Sequence, residues 1–185
     1  MKYERIKASL FIDNRKKFIA KMVKNSLAVF NSNDIYPISA DGTMPFQQHR
    51  DIFYLSGVDQ EESVLVIFPD SVNSAHREVL FLKETSDLIA VWEGEKLSKN
   101  QAFEVSGIKT VYWLQQFPTI FKQMMAEAES IYLNTNEHLR ASTEVETRED
   151  RFIKQVKQDY PAHQVRKSAP LMHKLRSVKH SIELQ

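Results

Sequence analysis

The sequence contains no cysteine among its 185 residues. The chain therefore forms no disulfide, offers no thiolate to a metal and has no cysteine nucleophile. Disulfides are common in small secreted proteins and rare in reducing compartments. The absence of cysteine is what we expect of a cytoplasmic protein.

Glycine is also scarce. The four glycines are Gly42, Gly57, Gly94 and Gly107, and no two of them are close enough in sequence to form a phosphate-binding loop. The sequence also lacks the Gly-x-Ser-x-Gly turn that presents the nucleophile of α/β hydrolases. These absences argue against the usual glycine-rich nucleotide sites and against that class of serine hydrolase.

Long apolar runs and a charge excess are missing as well. The longest apolar stretch, Ser-Val-Leu-Val-Ile-Phe at residues 63–68, is far too short to cross a membrane, and the first residues show no secretory signal. The 25 Lys and Arg nearly balance the 24 Asp and Glu, which leaves a net charge of +1. This balance predicts binding neither to nucleic acid nor to an anionic membrane.

The patterns that are present predict an α/β fold with six strands and about five helices. Strands rich in β-branched and aromatic residues are predicted at 26–30, 51–57, 63–69, 78–82, 109–114 and 130–134. Helices are predicted at 11–24, 100–105, 117–128 and 144–157, with a loop at 31–45. We expect one mixed sheet with helices on its faces.

The last residues carry an apolar stripe at helical spacing, formed by Leu175, Val178 and Ile182. No Gly, Asn or Pro follows to end this predicted helix. We therefore expect the helix to lead into further sequence.

No catalytic or metal site assembles from the pattern of residues. The six histidines are scattered, and only His173 and His180 could share a helical face. Two ligands alone seldom hold a metal ion. The acidic stretch at 144–150 is typical of a solvated helix start, where negative charge suits the helix dipole. A pair of carboxylates that act as general acid and base stays open as an alternative, because no feature of the sequence identifies such a pair.

Two short segments stand out from this background. His49, Arg50 and Asp51 directly precede an apolar and aromatic run that ends at Gly57. Trp92 lies two residues before Gly94, in a region with few other apolar residues. This tryptophan is either a partly buried core residue or a surface anchor of the kind enriched at binding hot spots.

These segments, in this order, resemble the N-terminal domain of the Xaa-Pro aminopeptidases, the aminopeptidase P branch of the pita-bread, creatinase-type metallopeptidases. The family pattern Asn-Ser-Asp-Phe-x-Tyr-Leu-Thr-Gly is similar to residues 49–57, in which Arg50 and Ser56 replace the family's Ser and Thr. The strands at 63–69 and 78–82 follow, and then Trp92-Glu93-Gly94 matches the family's Trp-x-Gly. The family's Leu-Arg-x-x-Lys-x-x-x-Glu-Ile matches residues 175–184.

The resemblance implies a ribonuclease-H-like fold over residues 1–170, with residues 171–185 starting a linker helix into a C-terminal catalytic domain that this chain does not contain. That domain would hold two divalent metals, commonly manganese, and cleave ahead of a proline at the second position of a peptide. This chain would hold no cofactor and no catalytic residue. Its partners would be its own catalytic domain, further copies of itself and the peptide substrate.

The resemblance also gives roles to five residues. Trp92 becomes a candidate for the lip of the substrate entrance or for a subunit interface, and Asp51, Tyr54, Gly57 and Gly94 become parts of structural motifs. We expect Asp51 to bond nearby backbone amides at the start of the predicted strand. Two alternatives stay open, the N-terminal domain of a prolidase or creatinase-like hydrolase and a stand-alone interaction module.

Overall fold

The computed structural model describes residues 6–135, 138 and 144–184, apart from the side chains of Asp87 and Trp92. The helices are α1 (Ala8–Ile19), α2 (Arg50–Ser56), α3 (Asp87–Glu93), α4 (Lys99–Ser106), α5 (Phe117–Glu127), α6 (Arg148–Asp159) and α7 (Ala169–Arg176). The strands are β1 (Ser26–Asn31), β2 (Pro37–Ser39), β3 (Gly42–Thr43), β4 (Val64–Ile67), β5 (Glu78–Leu82), β6 (Thr110–Trp113), β7 (Ser130–Leu133) and β8 (Gln164–Lys167). Within these ranges no helix has the length and apolar character needed to cross a membrane.

Six strands form one mixed sheet in the order β6-β5-β4-β1-β7-β8. The pairs β1–β4 and β4–β5 are antiparallel, whereas β5–β6, β1–β7 and β7–β8 are parallel. This confirms the predicted class, an α/β protein with a six-stranded mixed sheet flanked by helices.

Alternating residues of β1, β4, β5 and β7 enter two separate cores, one on each face of the sheet. Ala28 and Phe30 of β1 pack on the first face with residues of α1, α2, α4 and α7. Leu27 and Val29 point to the second face, which α5 and α6 cover. The central strands β1 and β4 therefore carry unbroken apolar runs, 27–30 and 64–67, because both of their faces are buried.

One predicted strand is wrong, because residues 50–56 form helix α2. His49 caps this helix, and the buried residues Ile52, Leu55 and Ser56 recur at the spacing of a helix face. Aromatic and branched residues in a seven-residue segment resemble a strand in composition, and packing overrides that propensity. Asp51 therefore lies in the first turn of a helix rather than at the start of a strand.

The sixth strand of the sheet is β8, which the sequence did not reveal. Its residues, Gln-Val-Arg-Lys, are mostly exposed at the edge of the sheet and lack the apolar run of a buried strand. Other details of the secondary structure also differ from expectation. Helix α1 ends at Ile19, helix α6 starts at Arg148, and the predicted loop at 31–45 contains the small hairpin β2–β3.

Arg15 links the helices of the first face. Its side chain is 1% exposed and donates to the backbone oxygens of Leu55 at 2.8 Å and Ser106 at 3.0 Å. These oxygens lie at the C-terminal ends of α2 and α4, where the helix dipoles concentrate negative charge. A third bond joins Arg15 Nε to the carboxylate of Glu78 at 2.9 Å. One guanidinium thus fixes α1, α2, α4 and β5 relative to one another.

We expect Arg15→Met to lower the free energy of unfolding by about 3 kcal/mol, because it leaves buried carbonyls without donors and removes a buried ion pair. Chemical denaturation of the purified chain measures this loss. Lys16→Met, at an exposed site on the same helix, is the matched control and should change stability little. Equal stability of the two variants would contradict the role given to Arg15.

Candidate functional site

The segment that resembles the family motif begins at the cap of α2. The His49 side chain accepts a hydrogen bond from the Asp51 backbone N–H at 3.3 Å, and Asn134 Nδ2 lies 3.4 Å from the same ring nitrogen. Burial lowers the pKa of His49, Asp51 opposes this shift, and Arg176 and Arg50 add to it. The neutral ring is the form that can accept both bonds at Nδ1.

Asp51 does not cap its own helix through its side chain. Its carboxylate instead accepts from Arg176 Nη1 at 3.0 Å, and the two residues are 125 positions apart. The expected local bond to nearby amides is therefore replaced by a tertiary ion pair that joins α2 to α7. The motif at residues 49–57 and the motif at 175–184 are in contact through this pair.

Tyr54 and Gly57 hold α2 against α1. The Tyr54 backbone oxygen accepts from Asn14 Nδ2 at 2.9 Å, while burial and then Glu183 raise the pKa of its phenol against the opposing effect of Arg176. Gly57 ends α2 with a φ of +70°, and a Cβ at this position would lie 2.2 Å from the Phe11 ring. Only glycine satisfies both the left-handed backbone and this close approach.

Gly94 and Trp92 lie at the end of α3. Gly94 has a φ of +80°, and its N–H bonds the oxygen of Ala90. Unlike Gly57, it has open space where a Cβ would stand, so the backbone conformation alone favours glycine there. Trp92 belongs to α3, but its side chain lies outside what the structure describes. Leu88 and Val91 on the same helix are 71% and 76% exposed.

The chain segments that follow the two motif glycines meet at one groove, which we call the Gly57 groove. Its volume is about 570 Å³, within the range of ligand pockets. Gly57, Gln60, Leu97 and Phe11 are among the residues that line it. The Leu97 N–H donates to Gln60 Oε1 at 2.7 Å, and Lys96 forms an ion pair with Glu61. These bonds hold the two segments together.

The acidic stretch at 144–150 is only in part a solvated helix start. Thr147 and Asp150 form a capping box at the start of α6. Glu149, by contrast, is partly buried and accepts from Asn31 Nδ2 at 3.3 Å and from the Asn31 backbone N–H at 3.4 Å. Burial raises its pKa to about 8, and the bonds from Asn31 and the charge of Arg148 offset this only in part.

The described residues do not form a metal-binding cluster. Across positions 6–135, 138 and 144–184, no three or more His, Asp or Glu side chains lie close enough together to hold an ion. His173 lies on α7, whereas His180 comes after that helix has ended at Arg176, so the two do not share one helix face.

Sequence reasoning found the motif residues but missed their contacts. The Asp51–Arg176 pair joins two motifs that lie far apart in the sequence, and Gln60 belongs to no recognised motif. The one available signal was the Leu175-Arg176 pair, since an arginine is the natural partner of a motif aspartate.

We expect Asp51 and Arg176 to show a coupling of about 1–2 kcal/mol in a double-mutant cycle of alanine variants, because a partly buried, charged hydrogen bond joins them. Equilibrium unfolding of the four proteins measures the coupling. Lys174→Ala, on an exposed part of α7, replaces Arg176→Ala in a control cycle and should give none. A coupling energy near zero for Asp51 and Arg176 would contradict a stabilising ion pair between α2 and α7.

We expect Glu149 to make stability fall as the pH rises. The pKa of Glu149 is raised from 4.5 to about 8, so between these values the folded chain keeps a proton that the unfolded chain releases. Glu149→Gln should therefore match the parent near pH 4.5 and be more stable near pH 8, as thermal unfolding across this range can measure. Glu144→Gln, at an exposed site, is the control. Parallel pH profiles of Glu149→Gln and the parent would refute this.

Comparison with known proteins agrees with these motifs. The family model described as "Aminopeptidase P, N-terminal domain" matches residues 11–132. The intermediate cleaving peptidase 55 of Arabidopsis thaliana mitochondria is 24% identical over 97% of this chain and 34% of its own length. The Xaa-Pro aminopeptidase of Escherichia coli is 23% identical over 94% of this chain and 40% of its own.

Solved structures share the fold. Aminopeptidase P of Escherichia coli superposes with a TM-score of 0.79 at 20% identity, over 97% of this chain and 41% of that one. The enzyme of Pseudomonas aeruginosa gives 0.77 at 21% identity, over 98% of this chain and 41% of that one. The chain thus spans well under half the length of these relatives. With two thirds of its residues inside the matched range, the chain belongs to the aminopeptidase P N-terminal domain family.

Proposed function

We propose that this chain is the non-catalytic N-terminal domain of an Xaa-Pro aminopeptidase. The observation that carries the proposal is the match of the family model to residues 11–132, together with motif segments that contact one another in the fold. The parent enzyme would remove an N-terminal residue that precedes proline. Its two divalent metals, manganese by family resemblance, would be bound by the catalytic domain that follows in the relatives.

The second part of the proposal concerns what this domain contributes to the enzyme. Helix α3, which contains Trp92, carries Leu88 and Val91 on its exposed surface. Large apolar side chains grouped on one short helix are typical of a surface that another protein covers. We place α3 and Gly94 at the lip of the substrate entrance or at a contact between copies in a cytoplasmic homo-oligomer.

Two experiments test this proposal. The 185-residue chain, supplied with manganese and a peptide carrying proline at its second position, should release no amino acid. In an enzyme that carries this domain ahead of a catalytic domain, Trp92→Ala should lower kcat/KM at least several-fold or dissociate the oligomer. Replacing one hot-spot tryptophan commonly costs about 2 kcal/mol or more.

The control is Trp113→Phe, which changes the other tryptophan, at the end of β6. It should leave turnover and assembly unchanged. Turnover by the 185-residue chain alone would overturn the non-catalytic assignment. If Trp92→Ala changes neither the turnover nor the assembly of such an enzyme, the result would contradict both the lip role and the interface role.

A further inference from the structure

Helix α4 and strand β6 form the two walls of a groove of about 330 Å³, which we call the α4–β6 groove. Its lining residues are Lys99, Asn100, Phe103, Lys109 and Val111. We propose that this groove binds an acidic, extended segment of another polypeptide. The segment lies along the free edge of β6, with its carboxylates at Lys99 and Lys109 and an apolar side chain on Phe103. The inference concerns this groove alone and does not depend on the domain being part of an aminopeptidase.

The two lysines of the groove supply the first argument. Lys109 is exposed and Lys99 is half-buried, so both ammonium groups can be reached from solvent. Neither forms an ion pair with a described residue, and no carboxylate lines the groove. By contrast, Lys83, Lys96 and Lys154 each pair with a glutamate. Two unpaired ammonium groups in one small groove create a local positive potential that attracts a carboxylate.

The groove also places a positioned cation beside an apolar surface. Lys99 Nζ lies 4.7 Å from the centre of the Trp113 ring, and this cation–π contact holds the ammonium group near the end of β6. Phe103 is 46% exposed, although it belongs to a helix that packs on α1 and β6. An apolar side chain that covers Phe103 would remove this surface from water. The groove therefore suits a ligand that is both anionic and apolar.

The free edge of β6 favours an extended polypeptide over a small anion. Strand β6 pairs with β5 and with no second strand among the described residues. The Trp113 N–H donates to Gln116 Oε1 at 3.1 Å, so the amide of Trp113 faces away from β5. Because alternate main-chain groups of a strand point to the same side, the carbonyl of the exposed Lys109 also faces this edge. A main-chain N–H of the bound segment donates to that carbonyl, as in other complexes formed by strand addition.

The same lysines argue against a second copy of this chain as the occupant. Pairing two β6 edges would bring Lys99 and Lys109 of one copy close to those of the other, and like charges on neighbouring strands are destabilising. Lysine at the edge of a sheet commonly prevents such self-association. An acidic segment converts the same charges into attraction, so the edge is selective for the charge of its partner.

Nuclear magnetic resonance titration of the 185-residue chain tests the proposal. The probe is the peptide Ac-Gly-Asp-Thr-Val-Thr-Asp-Gly-NH2, in which both aspartates and the valine share one face of an extended strand. Its addition at millimolar concentration should shift the backbone amide signals of Phe103, Lys109 and Val111. Ac-Gly-Lys-Thr-Val-Thr-Lys-Gly-NH2 should not shift them.

A permuted peptide separates strand addition from simple charge attraction. Ac-Gly-Thr-Asp-Val-Asp-Thr-Gly-NH2 has the same composition as the probe, but its aspartates lie on the face opposite to its valine. It cannot bring its carboxylates to the lysines and its valine to Phe103 at the same time. We therefore expect it to bind about three-fold more weakly, the scale of one exposed ion pair.

Variants of the chain assign the contacts. Lys109→Glu reverses an exposed charge at the groove and should weaken binding of the probe about five-fold, because attraction to a carboxylate becomes repulsion. Lys122→Glu makes the same reversal at an exposed residue of α5 that does not line the groove, and it should have no effect. Lys99→Met removes the second ammonium group at similar length and should weaken binding about three-fold. The peptide series uses the unaltered chain and decides without these variants.

Several results would overturn the proposal. The acidic probe would shift none of these signals, or the acidic and basic peptides would shift them equally. Equal binding of the probe and the permuted peptide would show charge attraction without strand addition. Equal shifts with sodium phosphate at matched ionic strength would make the groove a simple anion site. Signals that move with protein concentration alone would make a second copy of the chain the occupant.

Discussion

The helical layer on the first face of the sheet depends on a single buried charge. Arg15 is too far from water to be stable without partners, and it finds them in two helix ends and one carboxylate. Moving α2 or α4 would therefore cost a charged hydrogen bond as well as apolar contact. The bonds of Arg15 therefore also fix the walls of the Gly57 groove, because residues of α1, of α4 and of the loop after α2 line it.

The two helix ends that Arg15 joins are alike in sequence and in detail. Residues 53–58 read Phe-Tyr-Leu-Ser-Gly-Val, and residues 103–108 read Phe-Glu-Val-Ser-Gly-Ile. In each, the serine hydroxyl donates to the carbonyl four residues earlier and accepts from the amide two residues later. Each also supplies one carbonyl to Arg15, that of Leu55 before the serine in the first segment and that of Ser106 itself in the second. A match of six residues is too short to stand out in a sequence without these contacts.

The sheet was largely predictable and the candidate site was not. Five of its six strands follow from apolar, β-branched runs, because a strand buried on both faces leaves a clear pattern. The prediction for the segment at 51–57 failed because its composition favours a strand, while its packing between α1 and the sheet requires a helix. Gln60 and Glu149 depend on contacts between distant segments, for which one sequence contains no signal, and only the motif arginine hinted at the Asp51–Arg176 pair.

The position of β1 in the sheet has a consequence for how the chain folds. Its antiparallel neighbour β4 follows within a few tens of residues, but its parallel neighbour begins where Ser26 pairs with Ser130. Closing so long a loop carries a large entropic cost, and folding slows as contacts become less local. During synthesis, one edge of β1 therefore has no partner strand until β7 has been synthesised. In that interval the exposed edge of β1 is open to pairing with another nascent chain.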